Sequence, residues 1–255
     1  MIKLLRNNQR RHVRRGKHEV WHSFFSEDLP GLLDSGFGFL LSFDELRLQP
    51  GASTEPHCED EAEIVTYVYK GALSQEDSEG NSGVVHTGEF QRMSSGRRIR
   101  HKETSVSQTD CVHMFRISLR PAQAGIDRGH EQKHFTEAQR RNLLCFVASP
   151  DRRKGSLRIH QDVLVCSAIL DPGHHLVHEL APGRTAWLHA VCGEATLNDI
   201  VLTQGDGVGV TNERSVSLTV QENTEILLVD LGPANLRPWE KTFCGNDERL
   251  HRGGD

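Results

Sequence analysis

No apolar run in this chain approaches the roughly 20 residues that a membrane-spanning helix needs, and helical hydrophobic periodicity is weak throughout. A membrane partner is therefore not expected. The six cysteines (58, 111, 145, 166, 192 and 244) are scattered and form no Cys-x-x-Cys pair. That spacing excludes the common zinc ribbons and disulfide scaffolds. Cys145 and Cys166 sit inside apolar runs, where a reduced thiol acts as a small hydrophobe, so a reducing, cytoplasmic setting is expected. No charge of one sign dominates: 30 Lys and Arg face 35 Asp and Glu, a net −5, which gives no reason to expect nucleic acid as a bulk electrostatic partner. Phosphate loops and nucleophile elbows are absent too, and Gly205-Asp206-Gly207-Val208-Gly209 has no helix pattern after it. The first 18 residues carry seven Lys and Arg and no acid, but lack the apolar stretch of a secretory signal. They read as a solvated strand and turn ending at Arg15-Gly16.

What is present is a rhythm. Short segments rich in Val, Ile, Leu and Phe recur about every ten residues, bounded by Gly, Pro, Asp and Asn, as in Ala62 to Tyr69, Cys111 to Leu119 and Leu164 to Leu170. Such spacing indicates an all-β sandwich or barrel, with Phe135 to Asn142 the one helical stretch. The pattern occurs twice. A strand ends at Gly71 and again at Gly193, and a Gly-acid step follows at Gly88-Glu89 and at Gly205-Asp206. Two similar barrels follow from this, joined through the polar stretch Arg120 to Lys133, a single extended barrel being the alternative. The expected division is 1–130, 131–232 and a tail at 233–255, in a monomeric protein.

Two tripeptides carry the chemistry: His57-Cys58-Glu59 and His101-Lys102-Glu103. On a strand, positions i and i+2 share a face. Each pair therefore presents an imidazole and a carboxylate together, with Cys58 and Lys102 on the other side. Neighbouring strands would bring four N/O donors to one point, a set suited to one first-row divalent ion rather than to calcium or magnesium.

Gly51, His57, Glu59 and Glu63 together resemble the first cupin motif, and Gly88 to His101 the second. The whole resembles the pirin family of two-cupin proteins. The matching stretches include Arg15-Gly16, Trp21, Pro50-Gly51, Glu63 to Val68, Asp77 to Asn81, Gly88 to Gly96, Ser149-Pro150-Asp151, His160-Gln161-Asp162 and Leu228 to Leu231. The resemblance covers residues 10 to 232 and implies two jelly-roll-type barrels in tandem with a few short helices. It implies a metal in the first barrel, commonly iron, with nickel, copper, manganese and zinc as alternatives. Carried over by position, its ligands are His57, Glu59, His101 and Glu103. The chain departs from the family at Glu59, where histidine is usual, and at Arg98, where glycine is expected.

By resemblance the activity is that of a flavonol (quercetin-type) dioxygenase, which opens the ring with O2 and releases carbon monoxide. Glu103 is then the general base as well as a ligand. The alternatives are a non-catalytic, metal-bearing redox sensor or interaction module, and a barrel that has lost its metal. Glu63 is expected to hydrogen-bond a ligand imidazole. His174, His175, His178 and Glu179 are expected in a solvated hairpin, since the second half has no matching His-x-Glu pair, and the second barrel is expected to be structural.

Overall fold

The computed structural model describes residues 1–24, 37–59, 61–96 and 99–233, and of residues 57–59 the backbone alone. The first part of the chain forms β1 (Ile2–Leu5), β2 (Arg11–Arg15), β3 (His18–His22), β4 (Leu40–Leu48), β5 (His57–Glu59) and β6 (Glu63–Lys70). There follow β7 (Ala72–Asp77), β8 (Ser82–His86), β9 (Glu89–Ser94), β10 (Ile99–Ser105), β11 (Val112–Leu119), β12 (Gly129–His134) and the single helical turn α1 (Glu137–Arg140). The remainder gives β13 (Cys145–Ser149), β14 (Leu157–Arg158), β15 (Val163–Leu170), β16 (His175–Glu179) and β17 (Thr185–Cys192). It closes with β18 (Glu194–Leu197), β19 (Ile200–Thr203), β20 (Gly207–Val210), β21 (Ser215–Val220) and β22 (Thr224–Leu231).

These strands build two barrels, each a seven-stranded sheet facing a four-stranded one. In the first barrel the sheets run β12-β9-β6-β11-β4-β3-β2 and β5-β10-β7-β8; in the second, β1-β20-β17-β22-β15-β13-β14 and β16-β21-β18-β19. The repeat legible in the sequence is real at the backbone level. Gly71 and Gly193 both adopt positive φ, and an added Cβ would lie 2.7 Å from the Cys111 carbonyl oxygen and 2.4 Å from that of Asn223, respectively. Gly88 and Gly205 also have positive φ.

The segment Ala195 to Val201 turns at Asn198 (φ 52°), and its two sides pair as β18 and β19. Two local expectations are revised. Phe135 to Asn142 shortens to α1, capped by the Thr136 hydroxyl accepting from the Gln139 N–H, because Arg140 is drawn inward and Arg141 is already extended. The polar connection is no loop throughout, since β12 pairs along its length with β9. The unexpected partner is β1, which joins β20 and so belongs to the sheet of the second barrel.

The largest apolar core lies between the barrels. Phe43, Tyr67, Phe90 and Phe115 from the first meet Trp187, Leu227 and Val229 from the second. His189, fully buried, is inserted here, 4.5 Å from the Phe43 ring and 5.5 Å from the Phe115 ring, centroid to centroid. Neither of its ring nitrogens has a hydrogen-bond partner among the described residues. Burial, and then the nearby Arg10 charge, hold it neutral well below the ordinary imidazole range. Glu45 beside it goes the other way on balance. Burial opposes its charge, but hydrogen bonds from His113 (2.9 Å) and Arg10 (2.7 Å) keep it ionised far below the usual carboxylate range.

A two-step acid sensitivity follows. The unfolded chain protonates His189 near pH 6.5 and the fold does not, so stability falls as pH drops below that value, by up to about 1.4 kcal/mol per pH unit. Glu45 adds a second loss below about pH 4.3, where only the unfolded carboxylate takes a proton. Urea unfolding across pH 7.5 to 4 should show both limbs in the native protein, and His189→Leu should flatten the upper one. An unchanged upper slope in the variant would assign the effect elsewhere.

Candidate metal centre

The first barrel is lined unevenly. One end is apolar, with Val20, Leu46, Leu48, Val68, Leu73 and Met114, and the other holds Ala62, Ile64, Met93 and Ile99. Between them runs a polar layer. The ladders place Gln91, Thr66, Arg116, Asp44 and His22 opposite one another on five successive strands, β9, β6, β11, β4 and β3. The equivalent row of the second barrel reads Val208, Leu188, Leu228 and Cys166, and is wholly apolar. Counted from the turn glycines, Val216 and Leu218 stand where the first barrel has His101 and Glu103, and both are buried.

Facing that polar layer is β10, whose alternation is strict: Ile99, His101, Glu103 and Ser105 are buried, whereas Arg100 and Lys102 are exposed. Glu103 is fully buried. Its Oε1 accepts from Gln75 Nε2 at 3.2 Å, its Oε2 accepts from Arg116 Nη2, and its backbone N–H donates to Thr54 Oγ1 at 3.1 Å. The strand beside it is β5, with residue 57 directly opposite His101 and residue 59 opposite Ile99. The two strands that carry the His-x-Glu pairs are thus neighbours.

The same register spreads the carboxylates. Residue 59 lies to one side of the 57–101 pair and Glu103 to the other, four residues apart along the strand direction, or about 13 Å. On the Glu103 side stands Glu55, exposed, just before β5. A one-residue shift separates the β5 ladder from the Ser53–Thr104 bridge, and Thr54 N–H donates to the Glu103 carbonyl at 2.8 Å within it.

Two described side chains, the Glu103 carboxylate and the His101 imidazole, are donors of the kind a divalent transition ion takes, and among the described residues no group of three or more such side chains gathers at one point. Gln75 and Arg116 each hold one oxygen of Glu103. His101 lies on the same inner face, and a borderline ion accepts such N/O sets. A cavity of about 240 Å³ opens against His101, lined also by Gln75, Asp77, Gln91, Met93 and His130. On the opposite flank, burial and then the charges of Arg15 and Arg116 lower the His18 pKa against the opposing pull of Glu103.

Several sequence expectations need correcting. Glu63 does not support a ligand imidazole. It is fully buried, and its carboxylate takes the Nδ1 of His160 at 2.8 Å and the His160 backbone N–H at 2.6 Å, tying the first barrel to the segment after β14. The imidazoles around β16 are not all solvated: His178 Nε2 meets Asp230 at 2.8 Å, where Arg184 also donates at 2.6 Å, while His175 bonds Ser217. Arg98 and the tail from residue 234 lie outside the described residues. Arg116 was missed, although an arginine at an inward alternation of the apolar run Val112–Leu119 signals a buried ion pair.

Barrels of this topology in tandem define a bicupin, with the polar interior confined to the amino-terminal member. A family model described as Pirin matches residues 7–118, and one described as Quercetinase C-terminal cupin domain matches residues 146–231. The chain belongs to the pirin family. It is 35% identical to an Escherichia coli (strain K12) protein named quercetin 2,3-dioxygenase, over 91% of this chain and 100% of that one. It superimposes on the crystal structure of Escherichia coli YhhW with a TM-score of 0.86 at 34% identity, covering 93% of this chain and 100% of that one. A structure of bacterial pirin YhhW in complex with nickel(II) matches with a TM-score of 0.84 at 34% identity, over 91% and 100% of the two chains. Among the described residues no helix is long and apolar enough to cross a membrane.

Proposed function

We propose that this protein is a metal-dependent dioxygenase of the pirin-like type that opens a flavonol ring with O2, with the site in its amino-terminal barrel. The observation that carries the reading is the buried His101–Glu103 pair opposite β5, in the one barrel whose interior is polar. The relative named quercetin 2,3-dioxygenase supports the substrate class, and the nickel(II) complex of YhhW supports a divalent ion. In this reading His57, His101, Glu103 and Glu59 hold the ion, iron being the first choice and nickel the next. When bound, the ion supplies Lewis acidity that favours the deprotonated 3-hydroxyl of the flavonol and orients it.

The chain's own residues do the rest. Gln75 and Arg116 hold the Glu103 carboxylate, which is the group that accepts the substrate proton. Gln91, Met93 and His130 line the space in which a ring would lie. We assign residues 131–232 to a structural barrel and propose a monomer.

One observation favours the second reading, a metal-bearing sensor or interaction module. The cavity at His101 is about 240 Å³, below the 300–1,000 Å³ usual for sites that enclose drug-sized ligands.

The test is elemental analysis of the purified protein followed by quercetin turnover under air, with and without added iron(II) or nickel(II). Metal-dependent turnover supports the enzyme; full loading without turnover leaves the sensor. Glu59→Gln and Glu55→Gln variants identify the fourth donor. The quartet predicts at least about a tenfold loss of metal affinity for Glu59→Gln alone. Loss in Glu55→Gln with Glu59→Gln unaffected would move the donor to the Glu103 side of the imidazole pair.

A further inference from the structure

We propose that Gln91 selects the ligand of the amino-terminal barrel: its carboxamide, in a cavity wall otherwise rich in hydrogen-bond acceptors, binds the hydroxyl groups of one neutral, hydroxylated aromatic ring. The inference rests on the reading above for the site and adds the residue that reads the ring.

The cavity beside His101 lies between the two sheets of the first barrel. Gln75 and Asp77 come from β7, opposite Glu103 and His101 on β10, while Gln91 and Met93 come from β9, opposite Gln132 and His130 on β12. Cross-strand partners share a face, so one inner surface presents Gln91, Met93, His130 and Gln132 together. Gln91 is only 7% exposed, yet its carboxamide has no hydrogen-bond partner among the described residues. A buried amide left unpaired is costly, and here the cavity is where a partner can enter.

The other carboxamides of the wall differ from it. Gln132 Nε2 engages both of its hydrogens, donating to the Val84 carbonyl and to Glu89 Oε2, each at 2.8 Å. Asn81 Nδ2 donates to Asp77 Oδ2 at 2.8 Å, and Gln75 Nε2 donates to Glu103 Oε1 at 3.2 Å. Carboxylates and carbonyls only accept, so these contacts fix which end of each amide is the nitrogen and leave the oxygens for a ligand. Glu76 and Asp77 add carboxylates to the same wall, whereas Ser82 and His130 can donate or accept. The wall therefore favours a ligand with donors and disfavours an anion. Met93 lends it a polarizable thioether, which packs well on aromatic rings. At about 240 Å³ the cavity is smaller than sites that enclose drug-sized ligands, so a single ring enters. A phenolic ring meets all three demands.

Saturation-transfer NMR titrations of the protein as purified measure the selection. The probes are resorcinol, whose separated hydroxyls do not chelate one ion, and 1,3-difluorobenzene, which keeps the ring and lacks the donors. Native protein is expected to bind resorcinol at least about tenfold more tightly than difluorobenzene. Gln91→Leu should weaken resorcinol about tenfold and leave difluorobenzene unchanged or tighter, a split that lost packing would not produce. Glycerol, which has the donors without the ring, should bind at least about tenfold more weakly than resorcinol. Equal native affinities for resorcinol and either comparator, or no binding of resorcinol, overturns the proposal. Resorcinol affinity unchanged in Gln91→Leu, or both aromatic ligands weakened equally, overturns it too. The native comparison alone decides if Gln91→Leu does not fold. Protein that takes up no nickel(II) but shows these preferences would bring down the metal reading alone. Protein that loads nickel(II) and turns over quercetin without them would bring down the role of Gln91 alone.

Discussion

Glu103→Gln is expected to remove bound metal and turnover together. The substitution preserves shape, and its amide oxygen still accepts from Arg116, so the barrel should persist. What is lost is an anionic donor at a fully buried position. Outer partners that merely orient ligands are worth 10–100-fold in metal affinity, so a direct donor should cost at least about 100-fold. The same carboxylate serves as proton acceptor in the proposed reaction, a role worth about 10² to 10⁴ in rate. Metal per chain after dialysis and quercetin turnover at saturating iron(II) or nickel(II) measure the two losses, with thermal unfolding as a check on the fold. A variant that keeps its metal and its rate would show that Glu103 is neither ligand nor base.

The second large effect concerns the union of the barrels. Arg140 is buried and donates through Nη1 to Glu225 (2.7 Å), to the Tyr67 hydroxyl (3.0 Å) and to Ser167 (3.2 Å). Tyr67 Oη donates to the same Glu225 oxygen at 2.5 Å. Burial pushes both the Tyr67 hydroxyl and the Glu225 carboxyl up, so each is held by its partners rather than by solvent. Arg140→Ala strands the Glu225 charge between the barrels and should cost about 3–5 kcal/mol in urea unfolding. The double variant Arg140→Met with Glu225→Met should recover much of that loss, because apolar replacement of a whole buried pair is often neutral. Equal stability of Arg140→Ala and native protein would mean that the network is solvated in solution.

The all-β class and the doubling of the barrel were legible because they depend on local signals: the turn glycines at 71 and 193, and the alternation of strands such as Ile99–Ser105. The His-x-Glu spacing likewise anticipated that β5 and β10 carry matching pairs. What escaped was set by distant partners. Polar residues on both faces of Gly129–His134 hide an edge strand, since neither face has a hydrophobic code. Glu63 sits beside a metal-type motif in sequence, yet its partner His160 is 97 residues away. The spread of Glu59 and Glu103 along the ladder is a matter of register, which no single segment encodes.

The pairing of Ile2–Leu5 with Gly207–Val210 also sets an order of assembly. The Ile2–Leu5 strand waits for a neighbour translated about 200 residues later, some 10 to 40 seconds at typical elongation speeds. Once β12 has been made the first barrel has all of its own strands, while its companion still lacks β20, β21 and β22. Nascent chains arrested before residue 207 should therefore protect the first unit from proteolysis and leave the leading strand open to cleavage or to capture by a chaperone.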